Sequence, residues 1–151
     1  MRELAAGVTV ITALGPQGPR GLTATAVCSV SADPPTLLVC VNRATEGHAA
    51  IVASRAFCVN VTAHEHRPLA EHFAGRGGLR GAERFAHGAW RRLVTGAPVL
   101  EDAIAAFDCR VMETMEWGTH TVFIGAVAAT HAADPARPAL VYRAGAFHAA
   151  G

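Results

Sequence analysis

Hydrophobic and β-branched positions along this chain fall into short runs, separated by turn-forming residues. Residues 7–14 (GVTVITAL) are rich in Val, Ile and Thr and predict a β-strand. Turn chemistry crowds the next segment, Gly15-Pro16-Gln17-Gly18-Pro19-Arg20-Gly21, so a second strand is expected to return as a hairpin. That strand would occupy 21–35, a stretch of small and hydroxyl-bearing residues ending in Pro34-Pro35. Residues 36–42 (TLLVCVN) form a short apolar run of buried-strand type. Further strands are predicted at 57–62, 105–113, 121–130 and 139–143, the last followed by Gly145 and Phe147. Helical spacing marks 46–54, with His48, Ile51 and Val52 suitably placed, and 67–74, with Pro68 in the first turn. Residues 75–81 (GRGGLRG) read as a flexible loop, and Glu116-Trp117-Gly118-Thr119 as a turn.

About six or seven strands with two or three short helices predict a mostly β fold, a closed antiparallel barrel whose closure removes exposed sheet edges. A doubly wound sheet is disfavoured, because long helices do not alternate with the strands. No linker, repeat or low-complexity segment interrupts the chain, so residues 1–151 are expected to form a single domain.

Composition narrows the class. The chain is 51% hydrophobic and 17% charged, as a folded domain is and a disordered chain is not. A net charge of +1 without a basic run argues against nucleic acid as a partner. No apolar run approaches the ~20 residues that cross a bilayer, and the N-terminus lacks a signal-peptide core, so a cytoplasmic protein without membrane contact is expected. The first strand lies so close to Met1 that a helix upstream, in a longer chain, is left open. Cys28, Cys40, Cys58 and Cys109 form no Cys-x-x-Cys pair and sit in apolar runs, so they are expected to be buried, reduced thiols.

Three constellations carry candidate chemistry. In 21–35, Thr23, Thr25, Ser29 and Ser31 alternate with Ala24, Ala26 and Val30, which would put small hydroxyls on one face of a strand. A backbone left approachable by such small residues suits a flat, polar-edged ligand. Asn42, Arg43 and Thr45 lie where a strand gives way to a helix, a place where backbone N–H groups favour an anion; the alternative is a plain Thr45 cap with a solvated Arg43. Arg84-Phe85 and Trp90 follow the glycine-rich loop and could close over a ligand. His120, between a glycine turn and a β-branched run, could exchange a proton near neutral pH. His64-Glu65-His66 with His72 lacks metal-site spacing and reads as a solvated helix entry, so no metal is expected. The glycine-rich loop is not a dinucleotide fingerprint, since Arg80 stands in the place of the third glycine.

Taken in order, these segments resemble the flavin reductase family, the reductase components of two-component flavin-dependent monooxygenases, which share the FMN-binding split-barrel fold. The likeness runs through 7–12, 21–35, 38–43, 57–61, 84–85, 96–100 and 118–127 to Leu140-Val141-Tyr142, Gly145 and Phe147. The resemblance implies hydride transfer from NADH or NADPH to FMN or FAD, a homodimer, and a separate monooxygenase that receives the reduced flavin. It implies that Thr23, Ala24, Thr25, Ala26, Val27, Cys28 and Ser29 line the flavin ring, largely through backbone groups. Asn42, Arg43 and Thr45 would contact the ribityl chain and phosphate, with Arg84 as a further phosphate partner. His120 would lie on the nicotinamide side as the catalytic residue, with Tyr142, Arg143 and Phe147 near the pyridine nucleotide. Thr119 stands where the family often has Asp, and Ala26 and Val27 where relatives frequently carry Ser and Phe. A pyridoxamine-phosphate oxidase-like enzyme and a non-catalytic flavin- or haem-binding module are the alternatives.

Overall fold

A computed structural model describes residues 1–151. In chain order its elements are β1 (Ala6–Gly7), β2 (Thr9–Gly15), β3 (Gly18–Ala24), β4 (Val27–Ala32), β5 (Pro35–Asn42), α1 (Glu46–Ser54), β6 (Ala56–Val61), α2 (Arg67–Phe73), β7 (Trp90–Arg92), β8 (Pro98–Leu100), β9 (Ala105–Trp117), β10 (His120–His131), β11 (Ala139–Arg143) and β12 (Ala146–Ala150). Short 3₁₀ turns at His64–His66 and Gly81–Ala86 flank α2 and its loop.

Seven strands form an antiparallel sheet in the order β3-β2-β6-β9-β10-β5-β4. A three-stranded sheet, β1-β11-β12, and a two-stranded ribbon, β7-β8, complete the fold. The large sheet curls around one core. Ile11, Ala24, Val39, Phe57, Val111 and Phe123, from six different strands, meet there with Ala50 and Ile51 of α1. β2 and β6 are covered on their other faces as well, where Val10 and Cys58 pack with Leu69 and Phe73 of α2 and with Val99 and Leu100 of β8. Burial on both faces explains why their sequences read as continuous apolar runs rather than alternating ones.

The two edge strands, β3 and β4, are chain neighbours separated only by Thr25 and Ala26. No ladder joins them; the large sheet is antiparallel, and its two edge strands are linked covalently through Thr25 and Ala26. The single strand expected at 21–35 is therefore two strands on opposite edges, and its hydroxyls do not form one continuous face. Four strands escaped the sequence reading: β1, β7, β8 and β12 are short or Gly/Ala-rich. β9 runs on through Glu116 and Trp117, and the turn shrinks to Gly118-Thr119, with Gly118 at φ 55° as such a tight hairpin requires.

All four cysteines are free. Cys58 and Cys109 are buried as expected, but Cys28 is exposed on the edge strand β4, and Cys40, on its neighbour β5, is half-buried. Burial, followed by the nearby Asp108 charge, pushes the Cys109 thiol up to about 12, and the same two causes raise Cys58. Asp108 itself is fully buried and accepts from Val94 N–H and Thr95 N–H, both at 2.9 Å, and from the Thr95 hydroxyl. Buried Asn60 donates to the Val10 carbonyl at 3.0 Å and accepts from Leu100 N–H at 2.8 Å. These side chains fasten β8 and the loop before it to the large sheet.

Candidate functional site

The β5–α1 junction brings its own polar groups together first. Thr45 caps α1: its hydroxyl accepts from His48 N–H at 3.2 Å and donates to the Asn42 carbonyl at 2.8 Å. Asn42 Oδ1 accepts from Ala44 N–H at 2.9 Å. With the Thr45 hydroxyl engaged on both sides, the amides of Glu46 and Gly47 are the donors left free, as first-turn amides are. Gly47 lets α1 sit hard against β3, since a Cβ there would stand 2.4 Å from Leu22 Cδ2. Gly21 does the same for α2, with Phe73 Cε1 2.6 Å from its Cβ position.

Between these elements and the glycine-rich loop lies a cleft of about 440 Å³, lined by Thr45, Glu46, Gly47, Gly75, Arg80 and Arg84 among others. Arg84 ties the loop down: Nε donates to the Leu79 carbonyl at 3.0 Å, and Nη1 to those of Gly21 and Phe73, both at 3.3 Å. Its guanidinium is thus largely committed to backbone. The Arg80 side chain makes no ion pair or hydrogen bond with the protein; its backbone alone is engaged, the N–H donating to Glu83 Oε2 and the carbonyl accepting from Glu83 N–H, both at 3.1 Å. It is the free cation of this cleft. The sequence flagged Arg80 only as the residue that spoils a glycine motif.

A second chamber of about 300 Å³ continues the first through Leu22, Thr45, Phe73 and Ala74. Thr23, Ala24, Thr25, Ala26, Cys40, Asn42 and His120 line it. Thr25 and Ala26 lie between strands, and their N–H groups bond to no protein acceptor. Thr23 spends its hydroxyl on the Ala70 carbonyl at 2.5 Å, which anchors α2 rather than facing a ligand. His120 opens β10 opposite Asn42 of β5 and is exposed to the chamber. Its Nδ1 lies 2.8 Å from the Thr119 hydroxyl. The threonine therefore supplies the side-chain contact that an aspartate at that position would make.

One trough thus unites Thr23, Ala24, Thr25, Ala26, Asn42, Thr45, Arg84 and His120. Other sequence candidates lie elsewhere. Val27, Cys28 and Ser29 run along β4 away from both chambers, because the chain changes edges at Ala26. Arg43 turns to the β9–β10 hairpin, with Nη1 3.3 Å from the His120 carbonyl and 3.8 Å from Glu116 Oε2. Tyr142, Arg143 and Phe147 belong to the small sheet. There Arg143 pairs with Glu3 at 3.5 Å, and the rings of Tyr142 and Phe147 stack edge-on at 5.1 Å. Phe147 reaches toward the glycine-rich loop through Arg67 and Arg76, at 5.7 and 5.9 Å from its ring.

Two histidines are bound up in structure. His48 Nε2 meets the Thr121 hydroxyl at 2.9 Å, and burial, aided by Arg43 and opposed by Glu116, lowers its pKa. His66 is buried rather than solvated: Nδ1 accepts from Ala63 N–H at 3.0 Å and Nε2 faces Asp102 Oδ2 at 3.0 Å.

The trough offers free amides at both ends, a histidine beside one end and a cation beside the other. Such a groove suits a flat ring with hydrogen-bond acceptors along its edge and an anionic tail. Comparison with known proteins points the same way. The family model described as flavin reductase like domain matches residues 1–151. FMN reductase (NADH) RutF 2 of Methylorubrum extorquens is 51% identical over 129 residues, spanning 85% of this chain and 74% of that protein. Among solved structures, BorF, the flavin reductase component of a bacterial two-component tryptophan halogenase, superposes with a TM-score of 0.89 at 35% identity, covering 99% of this chain and 92% of that one. The NADH:FAD oxidoreductase SgcE6 of Streptomyces globisporus gives 0.85 at 33% identity, covering 97% and 81%.

Proposed function

The chain belongs to the flavin reductase-like domain family, and from that premise we propose that it is an NAD(P)H:flavin oxidoreductase that supplies reduced flavin to a separate monooxygenase. The observation that carries this reading is the pairing of free amides along one trough, Thr25 and Ala26 at one end and Glu46 and Gly47 at the other. The flavin, when bound, is the hydride acceptor, and the reduced nicotinamide is the donor.

The protein's own residues bind and orient. Thr25 and Ala26 N–H groups meet the acceptor-rich ring edge, where donors placed in advance favour the charge that builds up on reduction. Glu46 and Gly47 N–H groups and the Arg80 guanidinium hold the phosphate. Arg84 keeps the loop over that phosphate by clamping Leu79, Gly21 and Phe73. His120 borders the ring chamber, and with Nδ1 engaged by the Thr119 hydroxyl, Nε2 is the ring nitrogen left to orient a carboxamide. Tyr142, Arg143 and Phe147, set apart from the trough in one protomer, would reach a nucleotide only from its outer side. We read the curled sheet as a split barrel closing across Thr25–Ala26, and the working form as a cytoplasmic homodimer whose four thiols stay reduced.

Oxidation of NADH and of NADPH, followed with riboflavin, FMN and FAD in turn, tests the reading. Nucleotide oxidation is expected only when flavin is present; none with any flavin would remove it. His120→Ala should slow single-turnover hydride transfer by about tenfold or more, about 1.4 kcal/mol of barrier, while flavin affinity stays within about threefold. An unchanged rate would take His120 out of the mechanism.

A further inference from the structure

Beyond the anionic end of the trough lies another cavity, of about 320 Å³, between the β2–β3 hairpin and one face of α1. Gly15, Pro16, Gln17 and Gly18 form one wall, and Ala49, Ala50 and Ala53 the other. Glu46 lines this cavity and the 440 Å³ cleft alike, so the two spaces adjoin at the first turn of α1. Positions 46, 49, 50 and 53 share one helical face. At about 1.5 Å of rise per residue, that face carries a ligand roughly 10 Å onward from the free amides. Such a length accommodates a second phosphate, a ribose and a purine.

The junction holds a cation already in place. Arg20 lines the hairpin cavity, and its side chain is only 16% exposed. Nη1 donates to the Pro19 carbonyl at 2.9 Å and to the Gln17 carbonyl at 3.2 Å, which fix the guanidinium. Its Nε pairs with Glu46 Oε2 at 3.5 Å, and that carboxylate is 62% exposed. A carboxylate so exposed is free to swing into solvent and yield its place to a phosphate, which offers the same paired oxygens to a guanidinium. Beyond Arg20, Pro16 and Gln17 line one wall and the methyls of Ala49 and Ala53 the other, while Gly15 closes the inner end against Ala50.

We propose that this cavity is an adenylate subsite: it takes the adenosine monophosphate half of FAD, with Arg20 on the second phosphate and the purine between Pro16 and Ala53. The proposal rests on the flavin reading above and extends it. FMN ends at the first phosphate and uses the trough alone; FAD uses both spaces. Relatives of this chain are named for each of the two flavins, and the hairpin cavity is where this chain distinguishes them.

Ala53→Phe is the direct test, because position 53 is exposed and supports no core contact. Kd values for FMN and FAD are measured by fluorescence titration on wild type and variant, with circular dichroism to show that the variant is folded. The variant should weaken FAD by about tenfold and change FMN by less than about twofold. Adenosine monophosphate should displace FAD competitively from the wild type and leave bound FMN in place. Equal shifts for both flavins, no shift for either, or no competition by adenosine monophosphate would each overturn the subsite. If the wild type binds FMN normally, the subsite alone falls; if it binds neither flavin, the flavin reading falls with it.

Discussion

At the scale of single residues, acid sensitivity is built into two side chains. Burial, reinforced by Arg43, lowers the His48 pKa below 6.5, so the fold favours the neutral ring. The unfolded chain then binds more protons as pH drops, and His48 withdraws its share of stability as pH falls through 6.5 toward the lowered value. For Asp102, burial alone would raise the pKa, but the hydrogen bond and charge of His66, with Arg137 beyond, outweigh it and the net shift is downward. The fold favours the carboxylate, so this contribution is complete above the ordinary carboxylate range and is lost as pH falls through it. Asp102 is 59% exposed, which holds its share to less than about 1 kcal/mol. Thermal melting followed against pH should therefore decline in two steps, first below about pH 6.5 and again below about pH 4. His48→Gln should flatten the first step and Asp102→Asn the second; a single step untouched by either change would refute the assignment.

Among the elements, the short β7–β8 ribbon depends most on polar anchoring. Its connecting loop hangs on Asp108, which takes two backbone amides and a hydroxyl into a fully buried carboxylate. Asp108→Ala leaves those donors unpaired and should cost about 2–3 kcal/mol in urea unfolding. A change below about 0.5 kcal/mol would show that solvent or a relaxed loop satisfies them. The ribbon is also where sequence reading fails: its strands are three residues each, too short for a period to show. The long strands β2, β5, β6, β9 and β10 and both helices were legible, because each carries an apolar run or a helical spacing. The break at Thr25–Ala26 was not, since alternating small residues continue straight through a change of sheet edge. At the site, Thr23–Ala26, Asn42, Thr45 and His120 were legible from local pattern and resemblance. Arg80 and Arg20 were not, because only the tertiary fold carries an arginine of the glycine-rich loop and one of β3 to the anionic end of one groove.

For the molecule as a whole, the outer half of β9 leaves Met112, Met115 and Trp117 exposed at 59%, 58% and 79%. Large apolar side chains gathered on one strand are unusual on a free surface and fit a covered one. Light scattering should give about twice the 15.7 kDa chain mass, and Trp117→Glu should shift it toward the single-chain value. A wild-type mass equal to one chain would count against the dimer. Strand order has a consequence in time as well as in space. β9 and β10 sit at the centre of the large sheet, with β3-β2-β6 on one side and β5-β4 on the other, yet they are made after all five of these strands. During synthesis the N-terminal strands emerge as two separate partial sheets, each presenting a bare edge. Only when the hairpin ending at His131 leaves the ribosome can the halves be joined. Until then β6 and β5 each offer unpaired backbone to any neighbouring nascent chain, and the insertion of one late hairpin ends that exposure on both sides at once.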